Sequence, residues 1–217
     1  MMPVVTVADY GMGNLFSVAR ALEHCGARVV FAETPETFKG AGLAVLPGVG
    51  AFPDGMGELE KRGLDEALRT HADSGKPLLA ICLGMQMLLD ESAEFGHHAG
   101  LGIIPGKVRA IPTLTTAGAP HKVPHIGWNR LMLSNGAVWE ETILEGIPAG
   151  EAAYFVHSFA AFPEDPRHRL ADCEYGGHAI PAVIRKGSVT GCQFHPEKSA
   201  AAGLKMLSNF IRTRGDA

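Results

Sequence analysis

Two short stretches, over a hundred residues apart, carry residue types that together could perform nucleophilic chemistry. The first is Lys76-Pro77-Leu78-Leu79-Ala80-Ile81-Cys82-Leu83-Gly84-Met85-Gln86. Pro77 to Ile81 is a short apolar run, the pattern of a strand buried on both faces. Met85, Met87, Leu88 and Leu89 after it suit a helix. A cysteine on such a strand-to-helix turn has its sulfur lifted clear of the backbone, and the small Ala80 and Gly84 let the turn close. The partial positive charge of the helix N-terminus favours thiolate over thiol. On this stretch alone, Cys82 reads equally well as a buried, inert core cysteine. The second stretch is Gly191-Cys192-Gln193-Phe194-His195-Pro196-Glu197-Lys198-Ser199. Pro196 pushes His195 toward extended geometry, where residues two apart share a face, so His195 and Glu197 point the same way. An imidazole backed by a carboxylate is a general base held in one tautomer. With Cys82 it makes a nucleophile, base and orienting group in the chain order Cys, His, Glu. Taken alone, His-Pro-Glu is also the pattern of a satisfied surface turn.

Two other arrangements fall short of a site. Gly11-x-Gly13 hints at dinucleotide binding, but Phe16 stands where the third glycine belongs, and Glu33 leads straight into Thr34-Pro35 rather than ending a strand. Cys192-x-x-His195 has zinc-like spacing without a second ligand pair. The reading therefore expects no cofactor and no metal.

Around these residues the pattern predicts strands over 3–9, 28–32, 42–48 and 77–81. Helices are predicted over 15–25, 53–61 and 64–74, with a helical turn over 35–39. Such alternation argues for a parallel sheet with helices on both faces. Ligands of such sheets sit beyond the C-terminal strand ends, where the turns at 11–14, 48–52 and 82–86 would meet. From Gly100 the texture changes to short β-like runs (106–111, 126–133, 152–161, 169–175, 180–185, 188–192) broken by Pro and Gly, the pattern of antiparallel or mixed sheet. A closing helix is expected over about 200–214, and 111–122 reads as a surface loop.

Composition sets the outer limits. The chain has 217 residues, 46% hydrophobic and 19% charged, enough apolar content for a sizeable core. It reads as one domain over 1–217: a parallel α/β core over about 3–95, a mixed β-rich part over about 100–195, and the closing helix. A net charge of −4 argues against a nucleic-acid or anionic-membrane partner. The start, Met1-Met2-Pro3-Val4-Val5, lacks the basic region of a signal peptide and reads directly as strand. Cys25, Cys82, Cys173 and Cys192 are scattered, with no C-x-x-C pair, which fits a reduced, cytoplasmic setting.

Ala80-Ile-Cys82-Leu-Gly84-Met-Gln86 together with Cys192-Gln-Phe-His195-Pro-Glu197 resembles the class I (triad) glutamine amidotransferases. Further stretches narrow the resemblance: Asp9-Tyr-Gly-Met-Gly-Asn14-Leu, Pro47-Gly-Val-Gly50-Ala-Phe, Pro124-His-Ile-Gly-Trp128-Asn and Tyr154-Phe-Val-His157-Ser158. These are similar to the glutaminase subunits of imidazole glycerol phosphate synthases, from Val4 to Phe210. The resemblance implies an α/β, flavodoxin-like fold with a mostly parallel central sheet flanked by helices and added antiparallel strands in the C-terminal half. It implies that Cys82, His195 and Glu197 are catalytic, and that Val49, Gly50 and Leu83 serve an oxyanion hole. Gly50, Gln86, His157, Ser158 and Phe159 would contact L-glutamine, the 157–159 strand mainly through its backbone. Asn14, Trp128 and Lys198 would meet a (β/α)8-barrel cyclase subunit that uses the ammonia to make imidazole glycerol phosphate and an aminoimidazole ribonucleotide in histidine biosynthesis. Read without the family, Gln86 suits a solvent-facing position, His157 a satisfied core histidine, Trp128 a core tryptophan and Lys198 a solvated charge. Phe159 departs from the usual tyrosine and lacks its hydroxyl.

Val49 stands where many relatives have a third small residue. Aiming a backbone N–H into an oxyanion hole often demands φ > 0, costly for a β-branched residue. The expectation is a resting loop with the peptide before Gly50 turned away, strained by about 1–3 kcal/mol and tipped by a docked partner. Competing expectations are a subunit feeding a different synthase, a catalytically silent subunit that stabilises its partner, and a free-standing cysteine hydrolase of the same fold.

Overall fold

Every residue of the apolar run that leads to Cys82 is buried, and the rest of the chain is layered around that strand. The computed structural model describes residues 2–134 and 136–213. Arg214, the last residue of the expected closing helix, lies outside them. The first half comprises β1 (Val4–Ala8), α1 (Leu15–His24), β2 (Arg28–Ala32), α2 (Pro35–Phe38), β3 (Leu43–Leu46), α3 (Phe52–Arg62), α4 (Leu64–Asp73), β4 (Leu78–Ile81) and α5 (Leu83–Met87). Then come β5 (Glu91–Ser92), β6 (His98–Ala99), β7 (Gly106–Ala110), β8 (His125–Arg130), β9 (Met132–Leu133), β10 (Ala152–His157) and β11 (Phe159–Pro163). The chain finishes with β12 (Arg169–Tyr175), β13 (His178–Lys186), β14 (Val189–Cys192) and α6 (Ala200–Arg212).

The main sheet runs β2-β1-β3-β4-β14-β13-β12-β9. Its first five strands are parallel neighbours, and the last three attach antiparallel. Side chains alternate across it with period two. Val5, Val7, Val45, Leu79 and Ile81 pack with Val18 and Leu22 of α1 and Met206, Leu207 and Phe210 of α6. Ala44, Leu46, Leu78 and Ala80 join Phe52, Met56 and Leu59 of α3 and Leu64 and Leu68 of α4. Covering both faces explains why the central strands are uninterruptedly apolar, each large side chain contributing about 1.5–3 kcal/mol on burial. Among the described residues, no helix is long and apolar enough to cross a membrane.

The helices begin and end where local chemistry allows. Asn14 caps α1 by accepting from Ser17 N at 3.4 Å. Thr34 and Thr37 form a reciprocal capping box on α2, with Pro35 in the first turn. The expected strands over 126–133 and 152–161 each prove to be two: Leu131 separates β8 from β9, and Ser158 separates β10 from β11. β10 pairs with β8 in one small sheet, whereas β11 joins β7, β5 and β6 in another. The break at Ser158 thus lets one extended segment serve two sheets. The 111–122 segment carries one isolated bridge, Leu114 to Pro120, and hydrogen bonds such as Ile111 N to Ser158 O and Thr116 N to Gly176 O fasten it to the rest of the chain.

Candidate active site

β4 and β14 are adjacent parallel strands in register, Ile81 beside Cys192, so the segments that follow them leave the same edge of the sheet. Cys82 follows β4 and its N–H donates to Cys192 O at 2.7 Å. Its backbone sits at φ +54°, ψ −109°, a sparsely populated conformation for a side chain with Cβ that costs about 1–3 kcal/mol. The turn requires Gly84: a Cβ there would lie 2.1 Å from Leu46 O. The helix that follows, α5, is only five residues long.

His195 follows β14 and is clamped on three sides. Its N–H donates to Tyr154 O at 2.9 Å, and its carbonyl accepts from Ser199 Oγ at 2.7 Å. Ser199 Oγ also accepts from Tyr154 N at 3.0 Å, tying the His195 loop to β10. His195 Nδ1 lies 2.8 Å from Glu197 Oε1, with side chains only 2% and 1% exposed. Its other nitrogen, Nε2, is buried without a fully formed hydrogen bond and is close enough to Cys82 for the two to influence each other. Burial opposes charge on this imidazole, but the neighbouring Cys82 and the Glu197 carboxylate outweigh it and lift the pKa to about 9. The imidazolium is therefore the favoured form at neutral pH, a proton held ready beside the sulfur.

Cys82 and His195 open into a cavity of about 300 Å³, also lined by Val49, Gly50, Leu83, Gln86, His157, Ser158 and Phe159. This is the lower end of small-molecule sites, a size suited to one amino acid. Gln86 is buried rather than solvent-facing; its amide N–H groups donate to Phe159 O at 2.9 Å and Gln193 Oε1 at 3.1 Å. His157 is buried and donates from Nδ1 to Phe159 O at 2.9 Å. Val49 has no positive φ, in keeping with its β-branched side chain, and the positive φ of this loop belongs to Gly50, at +106°. Glycine takes the conformation that would burden the β-branched neighbour.

The three expected partner contacts lie outside this cavity. Trp128 is 56% exposed and packs edge-on against Tyr154, which excludes the core-tryptophan alternative. Ile126 and Val156 emerge beside it, and Lys198 is exposed. Asn14 is half-buried and occupied with capping α1.

Sequence reasoning missed three residues. Glu94 lines the cavity and accepts from Phe52 N at 2.8 Å, capping α3 from a distant loop. Gln193 donates from Nε2 toward Cys82 Sγ at 3.7 Å, and Ser199 makes the clamp. The last two stand inside the His-Pro-Glu stretch, and a buried Gln next to an apolar strand was their available signal. Glu94 sits in a polar run whose surface look gives no such hint.

Residues 6–213 match the family model described as "Glutamine amidotransferase class-I". The chain is 51% identical over 212 residues to the imidazole glycerol phosphate synthase subunit HisH 1 of Legionella pneumophila (strain Lens), covering 97% of this chain and all of that protein. It is 45% identical over 208 residues to the HisH subunit of Geobacillus kaustophilus, covering 96% of each. In fold it is similar to a crystal structure titled glutamine amidotransferase (TM-score 0.71, 18% identity, 96% and 99% covered). It is equally similar to PurLQS from Thermotoga maritima (TM-score 0.71, 18% identity, 97% and 98% covered).

Proposed function

Since the chain belongs to the class I glutamine amidotransferases, among the HisH subunits of imidazole glycerol phosphate synthase, we propose that it hydrolyses L-glutamine through a Cys82 thioester. The ammonia passes to a (β/α)8-barrel cyclase subunit that makes imidazole glycerol phosphate and an aminoimidazole ribonucleotide in histidine biosynthesis. The observation that carries this reading is the buried His195–Glu197 pair, its second nitrogen left free beside the Cys82 sulfur at the cavity wall.

The sulfur attacks the carboxamide carbon, and the oxygen takes the negative charge. The N–H of Leu83, next after the nucleophile, and a second donor from the Val49–Gly50 segment meet it, each worth about 3 kcal/mol of barrier. Protonated His195 gives its Nε2 proton to the departing ammonia as the tetrahedral carbon collapses to the thioester. The neutral imidazole then takes a proton from water as its oxygen attacks the thioester carbon; the C–S bond breaks, glutamate leaves with its new carboxyl proton lost to solvent, and the free sulfur beside a protonated imidazole is restored. Glu197 holds the imidazole by Nδ1 throughout. Gln193 aims an amide N–H at the sulfur and helps fix its position. Glu94, with one carboxylate oxygen fixed by Phe52 N, offers the other to the substrate's α-ammonium group. Ser158 and Phe159 present backbone to the ligand.

Ammonia released into water at neutral pH is protonated and loses its lone pair, so activity is coupled to docking. Exposed apolar Val49, Ile126, Trp128 and Val156 supply a surface for the cyclase, and exposed Lys198 and half-buried Asn14 are its expected polar contacts. The four free thiols suit a cytoplasmic location. The test is glutamate release by the purified chain, alone and with the cyclase and its nucleotide ligand. Turnover should be very slow alone and rise steeply on docking. Full activity without the partner, or none with it, overturns the proposal.

A further inference from the structure

Behind the cavity wall, polar side chains form a hydrogen-bond chain whose direction is fixed at both ends by backbone groups. Asn129 Oδ1 accepts from Arg130 N at 2.8 Å, and its Nδ2 donates to Glu174 O at 2.8 Å, so the amide has one orientation. Its remaining N–H points to His125 Nε2 at 3.2 Å, which must therefore be the unprotonated nitrogen. His125 Nδ1 carries the proton and donates to His157 Nε2 at 3.0 Å. Reasoning from the other end gives the same answer: Phe159 O only accepts, so His157 Nδ1 carries its proton and His157 Nε2 must accept. Both rings are uncharged in this arrangement, since an imidazolium would turn one acceptor into a donor. Burial, foremost, pushes the pKa of each to about 4; His121 adds to this for His125, and His125 and His195 add to it for His157 against the opposing pull of Phe159 O.

Phe159 O is where this chain meets the one that ends at the nucleophile. It accepts from His157 and from Gln86 Nε2, both at 2.9 Å; Gln86 donates its second N–H to Gln193 Oε1, and that leaves Gln193 Nε2 facing the sulfur. An unpartnered His157 Nε2 would leave the ring free to take the other tautomer, turning a lone pair on the Phe159 carbonyl and moving the peptide that walls the cavity.

We propose that Asn129 and His125 are positioning residues for glutamine turnover: by donating in series they lock His157 in its Nδ1–H tautomer and thereby hold the Phe159 carbonyl in place. This rests on the glutaminase reading for its kinetic consequence, but the tautomer itself does not. The pairing of His125 with His157 follows from their direct opposition across β8 and β10.

The variant-free test is nitrogen-15 NMR of histidine-labelled chain at neutral pH. Nε2 of His157 should resonate as a hydrogen-bonded pyridine-type nitrogen and Nδ1 as a protonated one; the reverse assignment overturns the proposal. The kinetic test compares His125→Phe with His125→Asn in the complex with the cyclase. Phe keeps the ring stacked between Tyr175 and Phe155 and removes both nitrogens, whereas Asn places an N–H where Nδ1 was. His125→Phe should raise the glutamine KM at least tenfold with a smaller change in kcat, and His125→Asn should recover most of that loss. A KM within twofold of wild type for His125→Phe, or equal defects in the two variants, overturns the proposal. A wild-type complex that releases no glutamate refutes the glutaminase reading instead, and the NMR arm still decides the tautomer.

Discussion

Replacing Glu197 with Gln keeps the side-chain shape and an oxygen able to accept from His195 Nδ1 but removes the negative charge. The rise of the His195 pKa from 6.5 to about 9, won against burial, is shared between Cys82 and Glu197. It corresponds to about 3 kcal/mol in favour of the imidazolium. If Glu197 supplies about half of the favourable part, which exceeds that net figure by the burial penalty, the variant's imidazole loses at least about 1.5 kcal/mol of charge stabilisation and its pKa falls by at least about 1. The imidazolium that must stand beside the attacking sulfur is stabilised less by that amount. The kcat/KM for glutamine in the cyclase complex should drop at least tenfold, more if the amide turns its N–H toward Nδ1 and forces the wrong tautomer. Glutamate release measures the rate, and the His195 ring resonances followed against pH measure the titration. A variant within threefold of wild-type kcat/KM, with an unchanged His195 titration, refutes the reasoning.

The same pair sets a pH dependence of stability. Because the folded-state pKa of His195 lies above 6.5, its contribution is fully present below about pH 6.5 and is lost as pH rises through about 9. Urea midpoints of wild type and Glu197→Gln should therefore differ most near pH 6 and converge by about pH 10. Gly84→Ala should drive a methyl into Leu46 O and cost about 3 kcal/mol, a fall of about 6–12 °C in Tm for a chain of this size, read by calorimetry. Ser199→Ala removes the donor to His195 O and the acceptor of Tyr154 N, costing about 1–3 kcal/mol and lowering kcat more than it changes KM. Trp128→Ala should weaken cyclase binding by about 2 kcal/mol with Tm unchanged, by calorimetric titration; an unaltered affinity removes Trp128 from the interface.

The parallel half of the fold was legible because its signals are strong and local. Apolar runs of four or five residues, Thr34-Pro35 and the glycine after α1 mark boundaries to within a residue or two. The two-residue strands β5 and β6 are too short to have a period, and they exist only because β7 offers an edge. The split at Ser158 was illegible for a related reason: 152–161 is β-like throughout, and only the arrangement of two separate sheets decides where it breaks. In the site, residue type and spacing pointed to Cys82, His195 and Glu197 as a set, while their meeting depends on the β4–β14 pairing that no local pattern encodes. The reluctance of Val49 to take positive φ was legible from its β-branched side chain, and the positive φ of that loop falls on Gly50. Glu94 and the His125–His157 pair depend on loops and strands brought together from 32 to 42 residues away, and sequence spacing does not register such contacts.

The account depends on a covalent glutamyl intermediate at one sulfur. Rapid acid quench of the cyclase complex turning over glutamine, followed by peptide mass mapping, tests it most directly. The account predicts a glutamyl mass increment on the peptide carrying Cys82, absent from Cys82→Ala together with all glutamate release. Glutamate release at the wild-type rate by Cys82→Ala, or an increment on another residue, contradicts it.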